Sequence, residues 1–173
     1  MKLKGKKIAI LVEDLYEDLE LWYPYYRLLE EGAEVKIIGP DAKVYKSKHG
    51  YPAVADLSAA EAKAGDFQGI IVPGGYAPDR LRRYPKILDI VREIFEKGGV
   101  VASICHGPWV LISANIMKGK QTTAVISLKD DLINAGAIYL DEEVVVDNNL
   151  ITSRTPQDLP AFLPAIIAAL QNK

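Results

Sequence analysis

Short runs of consecutive apolar residues alternate along this chain with longer segments in which apolar residues recur at helical spacing. Buried strands are predicted for the apolar runs, which are 6–12 (KKIAILV), 33–39 (AEVKIIG), the centre of 67–75 (FQGIIVPGG) and 100–104 (VVASI). Helices are predicted for segments that follow such runs, namely 19–32, 85–99 and 107–117. Because continuously apolar strands need cover on both faces, the alternation predicts an α/β fold with a mostly parallel sheet that helices cover on both faces.

The last third of the chain departs from this alternation. Helices are predicted at 127–136 and 156–171, and two β-branched runs lie between them within 142–154. Asn148 and Asn149 separate those two runs, which predicts a small β-hairpin with a tight turn. The segment 48–62 is less regular and predicts a short strand with connecting loops.

Composition and charge narrow the class of protein. With 173 residues, 49% of them hydrophobic and 25% charged, the chain is expected to fold as a single domain over 1–173. A net charge of −2 without any basic cluster argues against nucleic acid and anionic membranes as partners. The first apolar run ends at Val12, too short for a signal peptide, and the single cysteine suits a reducing compartment. We therefore expect a cytoplasmic protein.

Candidate chemistry is concentrated where three predicted strands end. Glu17 follows the first strand, Gly74 and Gly75 follow the third, and Cys105 with His106 follows the fourth. Ligands of open α/β sheets bind beyond the carboxyl ends of the strands. The sequence does not show that these three strands are neighbours, but all three features belong to the same edge of the sheet.

Cys105 is predicted to be a nucleophile at a sharp turn between a strand and a helix. Small residues, Ser103 and Gly107, flank it, and the positive end of the following helix favours a thiolate. The alternative is a cysteine packed under that helix. His106 accepts the thiol proton only if the turn brings the two side chains together, and otherwise caps backbone groups.

The glycines and the acidic residues have two interpretations each. The backbone amides of His106 and Gly75 are candidates for an oxyanion hole, although Pro73-Gly74-Gly75 would form a tight turn in any case. Glu17 belongs to a carboxylate-rich segment that either compensates the dipole of the following helix or directs one carboxyl at the cysteine sulfur, and the spacing alone selects no single residue. Asp79 either orients a histidine or caps and pairs locally.

Other features carry less chemistry. His49 is interpreted as structural, and one cysteine with two distant histidines makes no metal site, so neither a metal nor another cofactor is expected. The aromatic stretch LWYPYYR suits either the core or a subunit interface.

Several motifs together resemble the ThiJ/PfpI family, and most closely its PfpI-type intracellular proteases, in the class I glutamine amidotransferase-like superfamily. The matching stretches run almost from end to end and are EDLYEDLELWYPYYRLLEEG, KHGY, VPGGYAPDRLRR, VASICHGPWVL, LKDDLINAGA and VVVDNNLITSRTPQDLPAF. The resemblance implies a flavodoxin-like, doubly wound fold and a homo-oligomer, either a dimer or a hexamer.

The resemblance also implies residue roles. It makes Cys105 the nucleophile, Glu17 the carboxyl that contacts the sulfur, His106 the catalytic histidine, and Gly75 with the His106 amide the oxyanion hole. Gly74, Tyr76 and Pro108 are candidate pocket residues. Asp79 stands where those proteases carry a glutamate that reaches the histidine of a neighbouring subunit, and its shorter side chain weakens that assignment.

The family's chemistry leaves the reaction open. The resemblance favours a cysteine hydrolase, in which Cys105 attacks an amide carbonyl and His106 protonates the leaving amine. The alternatives are a cofactor-independent glyoxalase or deglycase acting on methylglyoxal or its adducts, and a non-enzymatic sensor in which Cys105 is oxidised. A tyrosine of those proteases has no counterpart here, because Val125 or a neighbour occupies its position.

Overall fold

The computed structural model describes all residues from 1 to 173. It has a central sheet of seven strands. Eleven strands are present: β1 (Lys7–Leu11), β2 (Glu34–Gly39), β3 (Val44–Lys46), β4 (Pro52–Val54), β5 (Leu57–Ser58), β6 (Gly69–Val72), β7 (Val100–Ile104), β8 (Gln121–Thr122), β9 (Ile138–Tyr139), β10 (Val144–Asp147) and β11 (Leu150–Ser153). The central sheet has the order β10-β11-β7-β6-β1-β2-β5, and only β10 runs antiparallel to its neighbour. The remaining strands form two small two-stranded sheets.

The structure has six α-helices, which lie on both faces of the central sheet except for the fifth, which packs against the small β8–β9 sheet. They are α1 (Asp18–Glu30), α2 (Ala77–Leu81), α3 (Pro85–Glu96), α4 (Pro108–Ser113), α5 (Lys129–Asn134) and α6 (Leu159–Gln171). Helices α1 and α6 pack together on one face, whereas α2, α3 and α4 pack together on the other. The resulting hydrophobic core is one cluster of 49 buried residues, and the predicted flavodoxin-like α/β class is confirmed. None of the helices is long and apolar enough to cross a membrane.

The predicted hairpin is present, and one predicted helix is shorter than expected. Strands β10 and β11 pair antiparallel across Asn148, which adopts a left-handed conformation with φ of 56°. The helix predicted over 107–117 ends at Ser113, because Asn115 also has a positive φ, of 59°, and a left-handed residue stops an α-helix. Helix α2, in the segment around Asp79, was not predicted.

The strand order explains why the candidate residues meet. Strands β7, β6 and β1 are consecutive neighbours, so their carboxyl ends lie side by side. Strand β2 pairs with one edge of β1, and the chain then crosses back so that β6 pairs with the other edge. The connections after β1 and β6 therefore lead away in opposite directions and leave a crevice between them. Ligands bind at such a switch point in open α/β sheets.

Candidate active site

Cys105 occupies a sharp turn between β7 and α4. Its φ of 60° lies in the left-handed region, which is rare for a residue with a side chain and is common at functional turns. Hydrogen bonds hold the turn on both sides: the Cys105 amide donates to the Ser153 carbonyl at 3.1 Å, and the Val125 amide donates to the Cys105 carbonyl at 3.3 Å. Gly107 is required, because a Cβ there would lie 2.5 Å from the Val72 carbonyl oxygen.

The turn brings the imidazole of His106 to the thiol. Nδ1 of His106 lies 3.3 Å from Sγ of Cys105, so the two adjacent side chains do meet. Burial, and then the positive charge of Lys48, lower the pKa of His106 below its ordinary value. The ring is therefore neutral at pH 7 and able to accept a proton from the thiol.

Two backbone amides act on the sulfur. The N–H groups of His106 and Gly75 both lower the pKa of the Cys105 thiol and so favour its thiolate, and these are the two amides that the sequence suggested for an oxyanion hole. Gly75 has a φ of 81°, and a Cβ on it would lie 2.6 Å from the Glu17 amide nitrogen. A glycine is therefore needed for the backbone to come this close.

The carboxyl group beside the sulfur belongs to Glu20, which corrects the prediction of Glu17. Glu20 is fully buried, and its carboxyl is close enough to the Cys105 thiol for each group to change the other's pKa. Its Oε2 accepts a hydrogen bond from the Gly74 amide at 2.7 Å, whereas Oε1 is buried without a hydrogen-bond partner. Glu17 instead accepts a hydrogen bond from Lys48, at 3.0 Å.

The phase of α1 explains the difference between the two glutamates. Glu17 is the residue before the first turn of the helix, and its side chain faces the rim of the site. Glu20 is in register with Pro24 and Leu28, which are buried against the sheet. In the sequence, Glu20 already stands at the first position of a stripe with i, i+4, i+8 spacing whose other members are apolar. This spacing is the signal that would have identified Glu20 as the inward-facing carboxylate.

Burial keeps both the carboxyl and the thiol protonated at neutral pH. Burial raises the pKa of Glu20 to about 8, although the Gly74 amide opposes this effect. Burial, and then the charge of Glu20, raise the pKa of Cys105 to about 12, against the two amides that stabilise a thiolate. Burial and the charge of Glu20 thus outweigh the stabilisation of a thiolate that the sequence suggested for the N-terminus of α4. The thiol therefore needs a base such as His106 to become a nucleophile.

These groups open into a cavity of about 230 Å³. The residues that line it are Glu17, Glu20, Lys48, Gly75, Tyr76, Cys105, His106 and Pro156. Of the three candidate pocket residues, only Tyr76 lies here. The Gly74 amide is turned to Glu20, and Pro108 is buried in the first turn of α4. Lys48 and Pro156 come from distant loops, and sequence analysis did not predict them.

Asp79 lies away from the histidine of its own chain. Its carboxylate pairs with Arg83 one turn further along the chain, and it lines a separate polar cleft of about 460 Å³ that shares Tyr76 with the cavity. His49 is also outside the cavity, with Nδ1 2.8 Å from an Asp18 carboxylate oxygen.

The fold is a doubly wound α/β sheet, and its candidate site has a cysteine at a left-handed strand-to-helix turn next to a buried glutamate. These features define the class of α/β proteins that carry a functional cysteine at the carboxyl edge of the sheet. The model of the DJ-1/PfpI family matches residues 6–169, and the chain belongs to that family.

Curated relatives match the chain over nearly its whole length. The chain is 45% identical to Deglycase PfpI of Pyrococcus furiosus, a match that covers 95% of this chain and 99% of the relative. It is 44% identical to YraA of Bacillus subtilis, which is named as a candidate cysteine protease, over 91% of this chain and 94% of the relative.

A solved structure shares both sequence and fold. It is a two-domain protein from Anabaena variabilis that contains a DJ-1/ThiJ/PfpI-like domain and a ferritin-like domain. The TM-score is 0.94 and the identity 46%; the match covers 96% of this chain and 48% of that longer one.

Proposed function

We propose that this protein is a cysteine-dependent deglycase that also acts as a glyoxalase, with methylglyoxal or its adducts on amines as substrate. One observation carries the proposal: the Cys105 thiol lies between a neutral imidazole and a neutral, buried carboxyl. Rearranging an α-oxoaldehyde requires two groups that exchange protons with adjacent carbons, and His106 and Glu20 fit that requirement.

The first step forms a covalent adduct. Sγ of Cys105 bonds to the aldehyde carbon while its proton passes to Nδ1 of His106 and then to the former carbonyl oxygen. The amides of Gly75 and His106 stabilise the charge that develops on this oxygen. With an amine adduct as substrate, the same proton goes instead to the amine nitrogen as the carbon–nitrogen bond breaks. Either substrate leaves a hemithioacetal on Cys105.

The second step moves hydrogen between two carbons. His106 removes the proton from the thiol-bearing carbon, while the Glu20 carboxyl protonates the neighbouring ketone oxygen to give an enediol. His106 then protonates the second carbon, and Glu20 recovers a proton from the first hydroxyl. This leaves a thioester of lactate on Cys105, and water hydrolyses it to lactate and the free thiol.

The size of the cavity also favours a small substrate. Its 230 Å³ is below the range of about 300–1,000 Å³ that is usual for drug-sized ligands, and a three-carbon aldehyde fits such a volume. The relative from Pyrococcus furiosus carries the name deglycase, which points in the same direction.

The test compares two substrates on one enzyme. We expect lactate to form from methylglyoxal with the wild-type protein and not with Cys105→Ala, and no comparable cleavage of fluorogenic peptides. Peptide cleavage that is lost in Cys105→Ala, without lactate formation, would contradict the proposal. If neither activity is found but peroxide converts Cys105 to a sulfinate readily, a sensor is the better description.

A peptidase is the second candidate. The thiol–imidazole contact at 3.3 Å is the arrangement that a cysteine hydrolase requires, and YraA is named for that activity. In that reaction His106 protonates the leaving amine, and the two amides hold the oxyanion. Glu20 then has no proton to move, so activity that survives Glu20→Gln would favour the peptidase.

We further propose that the chain forms a homo-oligomer through the exposed aromatic face of α1. Trp22 packs with Tyr25, Tyr26 and Tyr51 at ring-centroid distances of 5.5 to 5.9 Å. Tyr26 and Tyr51 remain more than half exposed, and Leu19 lies on the same helix with 57% of its surface exposed. Aromatic residues in such a patch are typical of protein interfaces.

A further inference from the structure

The second ring nitrogen of His106 has a partner that the sequence did not suggest. Nε2 lies 3.4 Å from Oγ of Ser127. No carboxylate of this chain is hydrogen-bonded to the ring of its own His106, and Asp79, which was considered for that role from a neighbouring subunit, pairs with Arg83 within its own chain. A catalytic histidine needs a partner on its second nitrogen to fix which nitrogen carries the proton.

Ser127 belongs to the segment that is hydrogen-bonded to the turn at Cys105. Ser127 is the middle residue of a single 3₁₀ turn, Ile126–Leu128, in which the Leu128 amide donates to the Val125 carbonyl at 2.9 Å. The Val125 amide donates in turn to the Cys105 carbonyl, and the Leu128 side chain is fully buried. The hydroxyl is therefore positioned relative to the turn that carries His106.

The other side of the imidazole is also restrained. The ring of Trp109 lies 5.1 Å from that of His106, and its indole N–H donates to Asp131 of α5 at 2.8 Å. The imidazole thus has an aromatic neighbour, a thiol at Nδ1 and a hydroxyl at Nε2. Turning the ring over would replace both polar contacts.

We propose that Ser127 is a positioning residue, whose hydroxyl oxygen accepts a hydrogen bond from the Nε2–H of His106. This holds the tautomer in which Nδ1 carries no hydrogen and faces the thiol. The other tautomer would direct its N–H at the sulfur, which is only a weak acceptor, and would leave Nδ1 without a lone pair to accept the thiol proton. The role deepens the proposed function, because the first step requires an unprotonated Nδ1.

The chain has only two histidines, so the tautomer can be read directly. We would label the protein with ¹⁵N-histidine, substitute His49→Gln so that only His106 contributes, and record ring ¹⁵N spectra above its pKa. We expect the tautomer protonated at Nε2 to dominate. Ser127→Ala should produce a mixture of tautomers, Ser127→Thr should restore the wild-type spectrum, and Ser58→Ala, at a distant strand, should leave it unchanged.

Kinetics supply the second readout. Because a single hydrogen bond is lost, we expect Ser127→Ala to lower kcat for methylglyoxal about fivefold with little change in KM, and Ser127→Thr to recover it. A wild-type ring protonated at Nδ1, or an identical spectrum for Ser127→Ala, would overturn the role of Ser127. Because the spectrum needs no turnover, failure of the proposed function appears separately, as absent lactate formation in the wild type.

Discussion

Glu20 and Glu17 lie within one turn of each other, but the structure gives them different neighbours. Glu20 is beside the thiol and Glu17 beside Lys48. Since a group that moves protons typically contributes about 100-fold or more, we expect Glu20→Gln to lower methylglyoxal turnover by at least that factor. Glu17→Gln weakens only a partly exposed ion pair and should cost less than about tenfold. Steady-state lactate assays of both variants test this, and equal losses would contradict the assignment.

The raised pKa of Glu20 also affects stability. The native state holds the proton up to pH about 8, whereas an unperturbed glutamate releases it near 4.5. Between these values the unfolded state binds fewer protons, so the free energy of unfolding falls as the pH rises. Relative to Glu20→Gln, we expect the wild type to lose on the order of 4 kcal/mol between pH 4 and 9. Urea unfolding across that range measures the difference, and parallel curves would refute the shift.

At the scale of elements, two adjacent asparagines at the β10–β11 turn have different roles. Nδ2 of Asn149 donates to the carbonyls of Phe95 and Gly99, at 3.0 and 2.8 Å, and so links the hairpin to the connection between α3 and β7. Asn149→Ala leaves both carbonyls without this donor, and we expect a loss of about 2 kcal/mol in the free energy of unfolding.

The neighbouring position provides the control. Asn148 has a left-handed backbone, and its side-chain amide donates a hydrogen bond to the neighbouring Asp147 carboxylate. Glycine adopts that backbone without steric cost, so Asn148→Gly should change stability by less than about 1 kcal/mol. Urea denaturation of the two variants compares them directly, and a loss for Asn149→Ala no larger than that for Asn148→Gly would contradict the role of the link to Phe95 and Gly99.

At the scale of the whole molecule, the prediction concerns the homo-oligomer that we propose to form through the aromatic face of α1. We expect sedimentation velocity to show a homo-oligomer and Tyr26→Lys to shift it toward the monomer, because a charge would be buried among Trp22, Tyr25 and their counterparts on the partner. Ile133→Lys, on α5, adds the same charge at a similarly exposed apolar position and should not change the assembly. A monomeric wild type would rule out this interface.

The sequence by itself determined the strands of the central sheet, the hairpin at Asn148, and the turn that carries Cys105 and His106. These features depend on local signals, which are apolar runs, turn residues and a small-residue elbow. Tertiary structure decided that Glu20 rather than Glu17 lies at the sulfur, and that Ser127 meets His106. Both depend on packing: the first on how α1 is rotated against the sheet, the second on a segment 21 residues away in sequence that folds back across the turn.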